Sequence, residues 1–464
     1  MKRFTYILLA FILTTGLCVM TGCGENNEAE KQDTEALAQE EYDSAIGIFR
    51  SSDSFAPAAD YLKKWAKENK VRVEKDAEKY LVLSLPADKG YEKADPATLQ
   101  MPVGSGDPAL RCEELAVLLT AVKTSASHGK VRIIFTDNSD SSFKGARALD
   151  EKYITSDNFI NFMYSDQPAV YNQGGAASYN RITLSSEKKV TSHDKAFRVS
   201  IRGLSGGIAG SAASAEKPNP IETLAGFLAA AKTDGYVFDL ASFTGGTSAG
   251  TIPRSASAVI VIPSSSAESL QKRFDTSHER FMDNYGETEP YAEYTLTQVE
   301  KPSKVFTDST KDDIINFLYL FESETQLDKD EKTVSSSNVG AVSSDDSSFT
   351  AKVVLEDTSK EGLADSLLSL ETSCSLCHMK CRTTSSNEPW ITYEKSYLVS
   401  KMADLCSSEP QRTIMQNENT IFKDRNKKLV SVSFGVNLSS CKRSIKVITD
   451  YLASLNEVEE KYEK

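Results

Sequence analysis

The run Lys130-Val-Arg-Ile-Ile-Phe-Thr limits the fold more than any other stretch. Its apolar side chains are nearly continuous rather than alternating, the pattern of a strand covered on both faces, as in a parallel sheet. Helical spacing lies on either side. Residues 113–123 carry a dense apolar face (Leu115, Leu118, Leu119, Val122), and a further helix begins at Gly145. Upstream, 42–70 has helical spacing through Ile46, Phe49, Leu62 and Trp65. Strand patterns follow at 71–75 and 80–85, and another at 158–163. Strands alternating with helices predict an α/β domain with a mainly parallel sheet.

A second style starts near Lys195. Phe197-Arg-Val-Ser-Ile-Arg-Gly-Leu alternates as a half-buried strand, and a Gly/Ala/Ser-rich loop follows over 205–215. Next come a helix over 220–232, strands at 237–243 and 257–263, a helix over 267–285 and a strand at 294–300. The order then recurs without residue identity: a helix over 312–322, strands near 336–342 and 349–355, and a helix over 362–370. The chain ends with helices over 397–405 and 444–462 around a strand at 429–434.

The N-terminus sets the expected compartment. Lys2 and Arg3 precede an apolar run, and Met20-Thr21-Gly22-Cys23 resembles a bacterial lipobox. Residues 1–22 are therefore expected to be a lipoprotein signal peptide, with Cys23 as the lipidation site. Residues 23–43, rich in Glu and Asp, read as an acidic tether. The implied location is the bacterial cell envelope, membrane-anchored through lipid. A formal net charge of −13 over 464 residues argues against a nucleic-acid partner. Only four histidines are present, too few for a His-rich metal site. His128, His193 and His278 are each isolated beside polar residues and are expected at the surface.

Three segments carry a family resemblance: Ile201-Arg-Gly-Leu-Ser-Gly-Gly-Ile-Ala-Gly, Glu222-Thr-Leu-Ala-Gly-Phe-Leu, and Thr251-Ile-Pro-Arg-Ser-Ala-Ser-Ala-Val. Together with Ser337-Asn-Val-Gly they resemble the lid of the aminoacyl-histidine dipeptidases (Xaa-His, carnosinase-like), members of the dinuclear-zinc peptidase clan. The resemblance implies a zinc-peptidase-like α/β domain over 44–192 and 386–464, interrupted by an α+β lid over 193–385. It also implies a peptide or amino-acid ligand and a homodimer formed through the lid.

The family's chemistry requires paired zinc ions held by His and carboxylates, with a Glu as general base. At the matching positions this chain has other residues. The bridging carboxylate falls on Gly106, with Asp107 one place late. The Glu pair falls on Asp137 and Asn138, or on Ser139 and Asp140 if the gap is placed differently, and the next ligand on Met163. The lid histidine falls on Ile208, the Asn before Ile-Pro on Gly250, and the carboxylate-binding Arg on Glu356; Arg254 is retained. The expectation is a degenerate member with no catalytic or metal-ligating residue and no cofactor: a pseudoenzyme that binds a ligand or acts as a scaffold.

Two rival readings stay open. One is an active, divergent metallodipeptidase using Asp107, Asp137 and Asp140 for zinc or another cation, within a carboxylate group that includes Asp166. The other rests on Cys374-Ser-Leu-Cys377-His378, which has the spacing of a c-type haem attachment. Cys374, Cys377 and Cys381 could instead form disulfides with one another or with Cys406 or Cys441, the pairing being unreadable from sequence.

Overall fold

The computed structural model describes residues 33–52, 54–104, 107–139, 143–155, 158–415 and 417–457. The signal peptide and Cys23 lie outside them, as do Gly106 and Asp140. Every element below belongs to the unit Thr34–Lys464.

Two nine-stranded sheets organise the chain. The first runs in the order Arg72–Ala77, Tyr80–Leu85, Val131–Asp137, Ala97–Val103, Phe159–Tyr164, Ser431–Val436, Ala169–Gly174, Trp390–Ile391, with Gln411–Thr413 also on Ala169–Gly174. Parallel pairing joins its four central strands, 131–137, 97–103, 159–164 and 431–436. Both flanks are largely antiparallel, so the sheet is mixed around a parallel centre.

Alternation along each central strand separates two faces. Leu99, Met101, Ile133, Phe135, Ile160, Phe162, Val432 and Phe434 pack against the helices Thr34–Ser51, Pro108–Thr124 and Cys441–Ser454. The opposite face mixes apolar Val82, Ile134 and Phe159 with buried Gln100, Thr136, Asn161 and Ser433.

Over 34–43 the helix Thr34–Ser51 corrects the tether expected over 23–43, whose first ten residues lie outside the described ones. Ala38, Glu41, Ala45 and Phe49 recur every three or four residues and are buried, and Lys123 Nζ lies 3.3 Å from Glu41. Its acidic composition concealed an amphipathic helix, whose few apolar positions suffice because their spacing puts them on one face.

The second sheet is antiparallel: Glu293–Val299, Lys195–Arg202, Ala256–Ile262, Asp239–Gly246, Thr333–Ser344, Ser348–Asp357, Ala176–Ser185, Lys380–Asn387, with Glu324–Leu327 on Thr333–Ser344. Helices Pro220–Thr233, Ala267–Tyr285, Asp308–Leu320 and Lys360–Leu376 cover one face.

The chain passes from the first sheet to the second at Gly174 and Gly175, ahead of residue 193, because Ala176–Ser185 already pairs in the second sheet. It returns between Asn387 and Trp390. The two crossings touch. A Cβ on Gly174 would sit 1.9 Å from Trp390 Nε1, and one on Gly175 would sit 2.4 Å from the Asp357 carbonyl oxygen. Only glycine fits this double crossing.

Candidate functional site: the cleft at the strand ends

The carboxyl ends of parallel strands are where open α/β sheets bind ligands. Here the ends of Ala97–Val103, Val131–Asp137 and Phe159–Tyr164 meet two short lid strands, Gly207–Ile208 and Thr251–Ile252, which pair with each other.

The Asp107-Pro108 step builds the floor. Asp107 caps the helix Pro108–Thr124, its Oδ1 accepting from the Ala109 N–H at 2.8 Å, with Pro108 in the first turn. Its Oδ2 accepts from Arg254 of the lid, so one carboxylate both caps a helix and ties the two sheets together.

Behind it lies a recess of about 90 Å³ lined by Asp107, Arg111, Glu114, Asn138, Tyr179, Ile208, Gly250 and Glu356, among others. Five of the family-site positions therefore converge, although they come from segments as far apart as 107 and 356. Arg254 stands on the rim of an adjoining cavity of about 540 Å³, together with Arg50, Tyr164, Asp166 and Lys217.

The remaining site positions lie elsewhere. Asp137 does not line either cavity. It is buried, accepts from Ser139 N and Oγ at 3.0 and 2.7 Å, and is flanked by Lys144 Nζ at 3.3 Å and Lys79 Nζ at 3.7 Å. Met163 packs with Ala169, Tyr171 and Met415. The carboxylate group of Asp107, Asp137, Asp140 and Asp166 is thus divided: Asp107 and Asp166 share the wide cavity, and Asp137 is held by lysines.

Arg111 and Glu114, which the sequence reading missed, dominate the recess. Arg111 Nη1 donates to both Glu114 oxygens at 3.1 and 2.8 Å. Burial pushes the Glu114 carboxyl up to about 7, with Arg111 opposing the rise. Burial and then the neighbouring Glu356 raise the Tyr179 phenol well above its ordinary value. A sequence signal existed: Glu114 leads into the part of the helix Pro108–Thr124 that is buried nearly all round, from Leu115 to Val122, where a carboxylate needs a partner one turn away.

The zinc pair implied by the family does not fit these residues. Both Asp107 oxygens are committed. Asn138 Oδ1 accepts from the Phe143 N–H at 2.9 Å. Glu114 is paired with Arg111, and the guanidinium lines the recess a cation would occupy. No histidine lines either cavity. Among the described residues no group of three His, Cys, Asp or Glu could hold a metal ion.

Of the three histidines expected at the surface, His128 is buried and His193 and His278 are half-buried. His128 is buried, its Nδ1 2.8 Å from the Gly129 carbonyl and its Nε2 3.4 Å from Asp88. His193 faces Asp239, and the His278 ring lies tilted beside Phe274 and Tyr294.

The haem reading also fails on geometry. The Cys374 and Cys377 thiols are buried in the lid core, whereas the His378 side chain is 77% exposed and lies 3.1 Å from Asp313. A c-type haem needs all three on one open face.

A strand-end sheet domain, a lid carried on a second sheet and a cleft between them make up a fold shared with solved dipeptidases. The particular likeness is to dipeptidases. The aminoacylhistidine dipeptidase of Vibrio alginolyticus superposes with a TM-score of 0.57 at 16% identity, covering 91% of this chain and 98% of that one. The cytosol non-specific dipeptidase of Escherichia coli (strain K12) is 23% identical over 294 residues, 56% of this chain and 60% of that enzyme. No protein-family model matches. The resemblance to dipeptidases is thus borne out, in fold by the aminoacylhistidine dipeptidase and in sequence by the non-specific dipeptidase, over 60% of that enzyme's length. Among the described residues no helix is long and apolar enough to cross a membrane.

Proposed function

We propose that this chain is a lipid-anchored protein of the cell envelope that uses a dipeptidase-type cleft to bind a small peptide or amino acid without two-zinc hydrolysis. One observation carries this reading: the family-site positions converge on the recess, but Asp107 is committed to Ala109 and Arg254, Asn138 Oδ1 to the Phe143 N–H, and Arg111, paired with Glu114, lines the same cavity. The adjoining cavity, at about 540 Å³, is within the usual size range for small-ligand sites. Its walls carry cations (Arg50, Lys217, Arg254) for a carboxylate and Asp166 for an ammonium group. The anchor at Cys23 is supported by the Met20-Thr21-Gly22-Cys23 pattern.

The test is metal analysis, calorimetric titration with dipeptides and an Xaa-His dipeptidase assay on the purified protein. The expected result is binding without stoichiometric zinc or turnover. Two equivalents of tightly held zinc accompanied by hydrolysis would overturn the proposal and favour the divergent metallodipeptidase.

A further inference from the structure

The helix Lys360–Leu376 ends in a tight reversal. The Met379 N–H donates to the Cys374 carbonyl at 2.8 Å, and the His378 N–H to that of Ser375 at 3.2 Å. His378 stands at φ 52°, the left-handed position that helix ends usually give to glycine. The chain then runs back as the strand Lys380–Asn387, where Cys381 pairs in register with buried Ile182. This doubling-back sets Cys381 against Cys374. Both side chains pack on the apolar core beneath the lid helices, and the two thiols interact there.

We propose that Cys374 and Cys381 are a disulfide-forming pair, closed by exchange with a small-molecule disulfide in an oxidising compartment. The assignment is independent of the ligand reading. It selects one pairing from the several that the sequence left open.

The environments of the two sulfurs give them different roles. Cys381 is partly exposed, and the interaction with Cys374 lowers its pKa; Cys374 is buried, and the same interaction and burial raise its pKa. The thiolate is the attacking species in exchange. The Cys381 thiolate attacks one sulfur of R–S–S–R, the S–S bond breaks, and one RS⁻ leaves and takes up the proton that Cys381 released. Cys374 then loses its proton and attacks the Cys381 sulfur of the mixed disulfide. The second RS⁻ leaves and is protonated. Two protein thiols are oxidised to one disulfide, and R–S–S–R is reduced to two RSH.

The experiment exposes the reduced full-length protein to glutathione disulfide under native conditions. It is then quenched with acid, denatured, alkylated, digested with trypsin and analysed by mass spectrometry. Cleavage after Lys380 separates Cys381 from Cys374 and Cys377, so a bridge survives as two joined peptides. The expected result is that bridge, lighter by two hydrogens than the separate thiols, with Cys112, Cys406 and Cys441 fully alkylated. Cys377→Ser should retain it, and Cys374→Ser should trap a glutathione adduct on Cys381. Alkylation of both Cys374 and Cys381 in the parent, or loss of the bridge in Cys377→Ser, would overturn the assignment.

Discussion

Replacing Glu418 with Gln probes the buried polar face of the first sheet, and its effect should depend on pH. Glu418 is wholly buried. Its Oε2 accepts from Gln100 and Thr136, and its Oε1 has no hydrogen-bond partner among the described residues. Burial pushes the carboxyl up to about 7 from an ordinary 4.5. Between those values the folded chain keeps a proton that the unfolded chain has released. Stability therefore falls as pH rises from about 4.5 to about 7, and stays lowered above that range. At about 1.4 kcal/mol per pH unit the full loss is about 3 kcal/mol, most of it accruing between pH 5 and pH 8. The Gln amide keeps an oxygen for Gln100 and Thr136 and never ionises. Urea midpoints should thus be similar for parent and variant at pH 5, and the variant should be more stable by about 2–3 kcal/mol at pH 8, with unchanged m-values. An equal offset at both pH values, or a weaker variant at pH 8, would mean that ionised Glu418 has a stabilising partner, and the burial argument would be refuted. Glu114 and Glu222, also raised to about 7 by burial, act with the same sign, so the parent's own midpoint should fall between pH 5 and pH 8.

Arg111→Met should destabilise by about 3 kcal/mol at pH 8 and by less at pH 6, because the Glu114 left behind can escape the penalty by holding a proton; thermal melts at both values check this. A pH-independent loss would assign the effect to packing. Gly340→Ala should destabilise by about 2 kcal/mol or more, since its Cβ would meet the Ser248 carbonyl oxygen at 2.0 Å, and a urea midpoint equal to the parent's would contradict the close approach. Excess EDTA should leave the melting temperature unchanged, and a drop of several degrees would reveal a structural ion.

The elements most legible in the sequence were those whose own pattern is decisive. The helix Ala267–Tyr285 falls on the range that its spacing predicts, and the strands Val131–Asp137 and Lys195–Arg202 lie within a residue or two of theirs. Ala169–Gly174 and Ala176–Ser185 were not seen. Their sequences mix Tyr, Asn, Gln and Ser, and each is held as a strand by neighbours distant in the chain, such as Ser348–Asp357. The convergence of Asp107, Asn138, Ile208, Gly250 and Glu356 was implied by the resemblance alone, since nothing local links them. The burial of His128 was hidden for the same reason: its partner Asp88 is 40 residues away and belongs to a turn. The reach of Arg111 across one helical turn to Glu114 was available and went unused.

The double crossing at Gly174, Gly175 and Trp390 places both covalent links between the sheets in a single small volume. Whatever tilt the lid can undergo must pivot there, where an indole is wedged against one strand and a carbonyl crowds the other. A bulkier residue at either glycine would act as a shim: it would reset the width of a cleft whose own lining it never touches.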